Sequence, residues 1–120
     1  MENIIKVAEE IQGCISKLSK AIKDIKDRSQ RLAEATANYD KQLAVTMIKL
    51  KNGYEFELDG VKIKDVVATN LEKIAKGIVF ESKLELEKAE LEYKSMITYI
   101  ETVKAQLNGW QSINRYLENK

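Results

Sequence analysis

The chain has 120 residues, of which 32% are charged and 44% hydrophobic, and it contains neither proline nor histidine. Its length is that of one domain, and the lack of proline fits long helices because proline breaks helix interiors. Twenty basic and nineteen acidic residues leave a net charge of +1, so overall charge does not predict a nucleic-acid or membrane partner. Histidine is the commonest general base and metal ligand. We therefore expect a non-enzymatic protein without a metal or other cofactor.

The single cysteine and the N-terminal segment bear on the cellular compartment. Cys14 cannot form an internal disulfide, and the first residues lack the apolar run of a signal peptide. No stretch approaches eighteen apolar residues. We expect a cytoplasmic protein with no membrane partner, in which Cys14 is a buried structural residue.

The first half of the chain carries a heptad repeat, which is typical of a long helix that presents one apolar stripe to a partner helix. The pattern predicts a helix over about residues 2–51, ended by Asn52-Gly53. Its predicted seam contains the following positions: Ile4, Ala8, Ile11, Ile15, Leu18, Ile22, Ile25, Ser29, Leu32, Thr36, Tyr39, Leu43, Thr46 and Leu50.

The middle segment changes to a period of two, which is typical of strands. An Asp59-Gly60 pair separates two alternating runs and predicts a β-hairpin over about residues 54–64. Its pairing places Leu58 opposite Val61, Phe56 opposite Ile63, Glu57 opposite Lys62 and Glu55 opposite Lys64.

A second helix is predicted over about residues 65–118, with Asp65 as its N-cap. A break near Gly77, which would leave a separate short helix before it, is the alternative. The predicted seam contains the following positions: Ala75, Val79, Ser82, Leu86, Ala89, Tyr93, Met96, Ile100, Val103, Leu107 and Trp110.

Together these elements predict a single, mainly α domain over residues 1–120. It is a long, coiled-coil-like antiparallel helical hairpin with a two-stranded β-hairpin at the tip. If residue 51 faces residue 65, facing positions add to about 116. We expect assembly into a helical-bundle oligomer, because apolar residues flank the seams. The alternative is a monomer whose tip folds back on its own helices. The expected protein-interface residues are Phe56, Leu58, Val61, Ile63, Phe80, Leu84 and Leu91.

Two groups of residues are candidates for nucleic-acid binding. Residues 16–31 hold six basic and two acidic residues, a net +4 that could follow a phosphate backbone. The alternative is that they complement residues 81–92, whose net charge is −3. Near the C-terminus, basic and aromatic residues alternate as in single-strand stacking sites. The alternative, which the seam pattern favours, is that Trp110 is seam core and Tyr116 caps the end of the bundle. The candidates are Lys17, Lys20, Lys23, Lys26, Arg28, Arg31, Trp110, Arg115 and Tyr116.

Four segments carry a resemblance to known proteins: AEATANYDKQLA at 33–44, GVK at 60–62, LELEKAELEYK at 84–94 and IETVKAQL at 100–107. Over roughly residues 30–118 the chain resembles small helical proteins of phages and prophages, often encoded beside single-strand annealing recombinases and single-strand binding proteins. More distantly, it resembles the UvsY-type recombination mediators of T4-like phages. The Asp-Gly hairpin and the strict first heptad depart from those proteins, so no functional residue is transferred from them.

The resemblance implies an oligomeric phage or prophage accessory protein in DNA recombination or replication, in the cytoplasm of an infected or lysogenic bacterium. Its expected partners are further copies of itself, single-stranded DNA, and a recombinase or single-strand binding protein. The alternative is a protein-binding module that docks through the apolar β-tip, either to inhibit a host defence complex or to scaffold an assembly.

Overall fold

A computed structural model describes residues 2–119, and the chain is mainly α-helical around a small antiparallel hairpin. A short 3-10 helix, Ala68–Asn70, precedes the second α-helix. The helices and strands are α1 (Glu2–Lys51), β1 (Phe56–Leu58), β2 (Val61–Ile63), α2 (Leu71–Ile78) and α3 (Phe80–Glu118). The prediction of a helical hairpin with a two-stranded β-hairpin is confirmed.

These elements form two compact units. The outer unit combines residues 2–29 with residues 91–119, and the hairpin unit is Gln30–Glu90. Because α1 and α3 are long, each contributes residues to both units.

The hairpin unit has its own core, formed where α1 packs antiparallel to the returning helices. Tyr39, Val79 and Leu86 form a buried cluster. Lys83 places its ammonium 5.2 Å from the centre of the Tyr39 ring, and Asn38 Nδ2 donates to Ser82 Oγ at 3.4 Å. The partly buried residues that pack against this cluster are Leu32, Ala35, Leu43 and Ile78.

The β-hairpin has the predicted strand register. Phe56 pairs with Ile63, Glu57 with Lys62 and Leu58 with Val61. Both turn residues have positive φ, 49° at Asp59 and 78° at Gly60, as the tight turn requires. The predicted charge pairs differ slightly from the structure. Glu55 was expected opposite Lys64, but the paired strands end before Lys64, and Glu55 Oε1 instead lies 4.0 Å from Lys62 Nζ.

The start of the second helix was predicted wrongly. Asp65 does not cap a helix, since its φ of 56° is left-handed, whereas an N-cap residue has an extended backbone. The extended residue before the 3-10 helix is Val67, with φ −67° and ψ 145°. Two consecutive β-branched residues, Val66 and Val67, disfavour the helical backbone here and delay the helix.

The possible break near Gly77 occurs instead at Val79, between α2 and α3. Val79 has φ −93° and ψ 26°, and Gly77 lies inside α2. The helical hydrogen bonds nevertheless continue across the break, from Val79 N to Ala75 O and from Lys83 N to Val79 O. Val79 is buried, so the irregular residue belongs to the core of the hairpin unit.

In the outer unit, α1 and α3 again run antiparallel. Lys17 and Lys20 share a cleft with Tyr99 and Met96, whereas Arg28 contacts Glu92. Residues further along α1 therefore contact residues earlier on α3. Val7, Cys14, Ala21, Met96 and Val103 are the buried apolar residues of this unit. The predicted burial of Cys14 is confirmed.

The predicted seam of the returning helices is confirmed, because every position from Ala75 to Trp110 in that seam is buried or half-buried. The predicted seam of α1 consists of two sets of positions that each repeat every seven residues. The set that contains Ile15 and Ile22 is displaced by one residue toward the N-terminus. The buried or half-buried line before residue 36 contains Val7, Cys14, Ala21, Arg28 and Ala35.

The displaced line leaves large side chains outside. Ile15 and Ile22, which were predicted to be core, are exposed, and Ile22 is 61% exposed. The heptad period alone could not distinguish the line of Ile15 and Ile22 from the adjacent line of Cys14 and Ala21, because both lines have that period. The structure places the smaller side chains of Cys14 and Ala21 inside, which allows a closer approach of the neighbouring helix.

The predicted helix register was also wrong, by about one turn. In the outer unit Arg28 contacts Glu92, and in the hairpin unit Asn38 contacts Ser82; each pair adds to 120, whereas about 116 was predicted. The cause is the late start of the second helix, because α2 begins at Leu71 instead of near Asp65 and the connection after α1 is therefore longer than predicted.

Candidate nucleic-acid interface

A cleft of about 270 Å³ lies between α1 and α3 in the outer unit. Lys17 and Lys20 lie on its α1 side and Tyr99 on its α3 side. Ala21 forms part of the cleft wall, and its short side chain leaves space that a larger residue would fill. The complete lining is Lys17, Lys20, Ala21, Asp24, Met96 and Tyr99.

The α1 residues of this cleft share one helix face because they follow one another at steps of three, one and three residues. Lys17 and Lys20 are exposed, and Tyr99 is 42% exposed. Two ammonium groups can contact phosphates, and an accessible phenol ring can stack on a base. The cleft therefore combines the two kinds of group with which proteins bind single-stranded nucleic acid.

Asp24 is the one acidic side chain of the cleft, and it is in an ion pair. Arg28 Nε lies 3.3 Å from Asp24 Oδ1, one helical turn away. This contact offsets part of the negative charge beside the two lysines. Because the pair is partly exposed, the effect is modest.

Arg28 was predicted to contact nucleic acid, but the structure gives it a different position. It is half-buried in the α1 seam, and its Nη1 donates to the backbone carbonyl of Glu92 at 2.9 Å. With one nitrogen on Glu92 and another on Asp24, its guanidinium is held between the helices.

The other predicted basic residues do not join the cleft. Lys23 and Lys26 are exposed on α1, but each step of three residues turns about 60° short of a full circle, so they lie progressively further around the helix. Arg31 is exposed and belongs to the hairpin unit. The predicted basic patch is therefore divided in the structure. Lys17 and Lys20 line the cleft, Arg28 connects the two helices, and the other three basic residues lie outside the cleft.

The predicted C-terminal group does not form one stacking site. Trp110 is half-buried at a seam position, whereas Arg115 and Tyr116 are exposed. At about 100° per residue, Arg115 lies about 140° and Tyr116 about 120° from Trp110 around α3. These side chains therefore point to three different sides of the helix.

The hairpin unit contains an apolar groove of about 390 Å³ where the β-hairpin meets α2. Of the predicted interface residues, Leu58 and Ile63 line this groove, Phe56 is half-buried and Val61 is exposed. The Phe56 ring lies 4.8 Å from that of Tyr54. The remaining groove residues are Asn70, Lys73, Ile74 and Gly77.

The other predicted interface residues lie on α3. Phe80, Leu84 and Leu91 are all exposed, and none of them lines the groove at the hairpin. They follow one another at steps of four and seven residues, which places them on one side of the helix.

Tyr99 and Met96 were not among the predicted binding residues. The predicted register could not place Tyr99 correctly, because the observed facing positions add to 120, which sets Tyr99 opposite Ala21. Met96 was assigned to the seam, where it is buried, and it also forms part of the cleft wall.

Among residues 2–119 there is no group of three or more potential metal-ligating side chains. None of the helices described in this range is long and apolar enough to cross a membrane. No family model matches the chain, and no significantly similar curated protein or solved structure was found.

Proposed function

We propose that this protein is a non-enzymatic, oligomeric accessory factor that binds single-stranded DNA weakly through the cleft of Lys17, Lys20 and Tyr99. The observation that supports the proposal is the meeting of two exposed lysines on α1 with an accessible aromatic ring on α3. Each cleft offers only two cationic groups, so a single site is weak. Several copies in one assembly would strengthen binding through effective concentration.

The biological setting follows from the resemblance. A weak, multivalent single-strand binder suits a phage or prophage recombination or replication gene set in a bacterial cytoplasm. There it would act beside a recombinase or a single-strand binding protein.

The test is sedimentation velocity with a fluorescently labelled single-stranded oligonucleotide at low and moderate salt. We expect the label to sediment with the protein at low salt and to be released as salt rises, because lysine–phosphate contacts displace counterions. Absence of co-sedimentation at low salt, or binding that salt does not change, contradicts the proposal.

Paired variants identify the site. Lys17→Glu with Lys20→Glu should abolish co-sedimentation. Lys23→Glu with Lys26→Glu makes the same change in charge on α1 outside the cleft and should retain more binding. Tyr99→Leu preserves an apolar side chain but removes the stacking surface, at an expected cost of about 1–3 kcal/mol. Equal loss in both double variants would indicate dependence on net charge alone.

A second candidate function is protein binding at the apolar groove of the hairpin unit. Leu58, Ile63 and Ile74 line this groove, and such concave apolar surfaces are typical of partner sites. Under this alternative, Phe56→Asp with Leu58→Asp abolishes binding to a purified recombinase or single-strand binding protein but leaves DNA binding unchanged. Lys17→Glu with Lys20→Glu should have the opposite effects.

A further inference from the structure

One line of positions on α3 faces away from the seam, is exposed along the outer unit and carries no charged side chain. Its positions follow alternating steps of three and four residues: Ser95, Thr98, Thr102, Ala105, Gly109 and Ser112. Each lies about 200° around the helix from a seam residue two positions away, such as Ile100 or Val103. Alternating steps of three and four residues form a second heptad stripe on the same helix.

A large apolar residue accompanies this stripe, since Ile113, beside Ser112, is 45% exposed. Solvent-facing helix positions are usually charged or polar. An exposed stripe that contains Ala105 and Gly109 and no charge therefore resembles a contact surface more than a solvated face.

The polar atoms of the stripe are partly satisfied by the helix itself. Thr102 Oγ1 donates to Thr98 O at 2.9 Å, and Ser112 Oγ donates to Asn108 O at 3.0 Å. A hydroxyl bonded to the preceding turn loses little when water is removed from the surface. The stripe can therefore be buried without leaving these donors unpaired.

Gly109 has no packing role within the chain. A Cβ added there would meet no atom within 4 Å. Glycine in a helix interior costs about 1 kcal/mol relative to alanine. Together with Ala105, four residues earlier, it forms a small–xxx–small pair that allows another helix backbone to approach closely.

The residues beside the stripe are complementary to themselves in an antiparallel arrangement. When two copies of one helix pair antiparallel, each flank faces the same flank of the other copy. On one flank, Glu101 and Arg115 are symmetric about position 108. In the stripe itself, Ala105 and Gly109 are symmetric about position 107.

These two pairs define a two-fold axis near residue 107. Glu101 would face Arg115 of the second copy, and Ala105 would face Gly109. Neither Glu101 nor Arg115 forms a salt bridge with another described residue of its own chain. A parallel pairing would place opposite flanks together and would not bring Glu101 to Arg115.

We propose that the exposed face of α3 is a homodimer interface, in which α3 packs antiparallel against α3 of a second copy about a two-fold axis near residue 107. This interface does not depend on nucleic-acid binding.

The test is a charge exchange measured by sedimentation equilibrium of the full chain without DNA. Glu101→Arg places two arginines against each other at both symmetric positions, and Arg115→Glu does the same with two glutamates. Each single variant should raise the dimer Kd about tenfold. The double variant, which restores opposite charges with their positions exchanged, should return the Kd to near that of the natural chain.

Lys94→Glu is the matched control, because it reverses a charge on the same flank as Glu101 outside the symmetric pairs. It should leave the Kd nearly unchanged. Gly109→Leu should abolish the dimer, whereas Gly13→Leu, at an exposed glycine inside α1, should not; circular dichroism verifies that both variants fold. A monomer at all concentrations, or single charge reversals that the double variant does not rescue, would overturn the proposal.

Discussion

Arg28 on α1 donates a hydrogen bond from its Nη1 to the backbone carbonyl of Glu92 on α3, 2.9 Å away. A carbonyl in a helix already accepts a bond from its own ladder, so the guanidinium uses the second lone pair. The contact connects the two helices of the outer unit without requiring an acidic partner. A residue that a charge pattern assigns to ligand binding here has a structural role.

Removal of this contact should destabilise the protein modestly. Arg28→Met retains the aliphatic part of the side chain but loses the hydrogen bond and the pair with Asp24. Because both contacts are partly exposed, we expect a loss of about 1 kcal/mol, or a few degrees in Tm. Thermal unfolding followed by circular dichroism measures it. Lys26→Met is the control on the exposed side of α1, and an equal fall in Tm there would contradict the structural role of Arg28.

Adjacent positions on α1 should respond very differently to the same substitution. Cys14 is 4% exposed and Ile15 is 46% exposed. Cys14→Asp buries a carboxylate and should cost at least about 3 kcal/mol, whereas Ile15→Asp should leave the isolated chain nearly unchanged. Urea unfolding at low protein concentration compares them. If Ile15→Asp were the more damaging change, the originally predicted seam would be correct.

The Cys14 thiol should react slowly with a thiol-specific reagent in the folded protein. Its burial restricts access, so modification requires opening of the outer unit. We expect a reaction that accelerates strongly in urea across the unfolding transition, measured by absorbance of the released reagent. Rapid modification of one thiol per chain in native buffer would show that Cys14 is accessible.

The hairpin turn should tolerate only residues that accept a left-handed backbone. Gly60 has φ 78°, so Gly60→Val should cost about 1–2 kcal/mol and loosen β1 and β2. Hydrogen exchange at the Phe56–Leu58 amides should accelerate while helical circular dichroism stays constant. Lys64→Val, beyond the paired strands, should have no such effect. Unchanged exchange in Gly60→Val would indicate that the turn can adopt another geometry.

Local patterns predicted the parts of the fold that depend on a few neighbouring residues. The Asp59-Gly60 turn determines which strand residues face each other, so Phe56 and Ile63 were paired correctly. The seam of the returning helices was also predicted correctly, because the competing stripe on α3 consists mostly of small and hydroxyl-bearing residues that a hydrophobic pattern passes over.

The remaining errors arise from choices that local patterns cannot decide. On α1, the line of positions that contains Cys14 and the line that contains Ile15 both repeat every seven residues. Only the packing against α3 determines which of the two lines faces inward. The helix start was misplaced because Asp65 is both a good N-cap and one of the few residues that accept a left-handed backbone. Tyr99 joins Lys17 only through the helix register, which that start determines.

The order of contacts along the chain has a consequence for folding kinetics. Phe56 and Ile63 are close in sequence, Asn38 and Ser82 are 44 residues apart, and Arg28 and Glu92 are 64 apart. The entropy lost on closing a loop increases with the sequence separation of its ends. Each longer-range pairing therefore loses the least entropy after the shorter-range pairing has formed. The chain should therefore nucleate at the Asp59-Gly60 turn and close progressively toward its ends, and unfolding should begin at the termini.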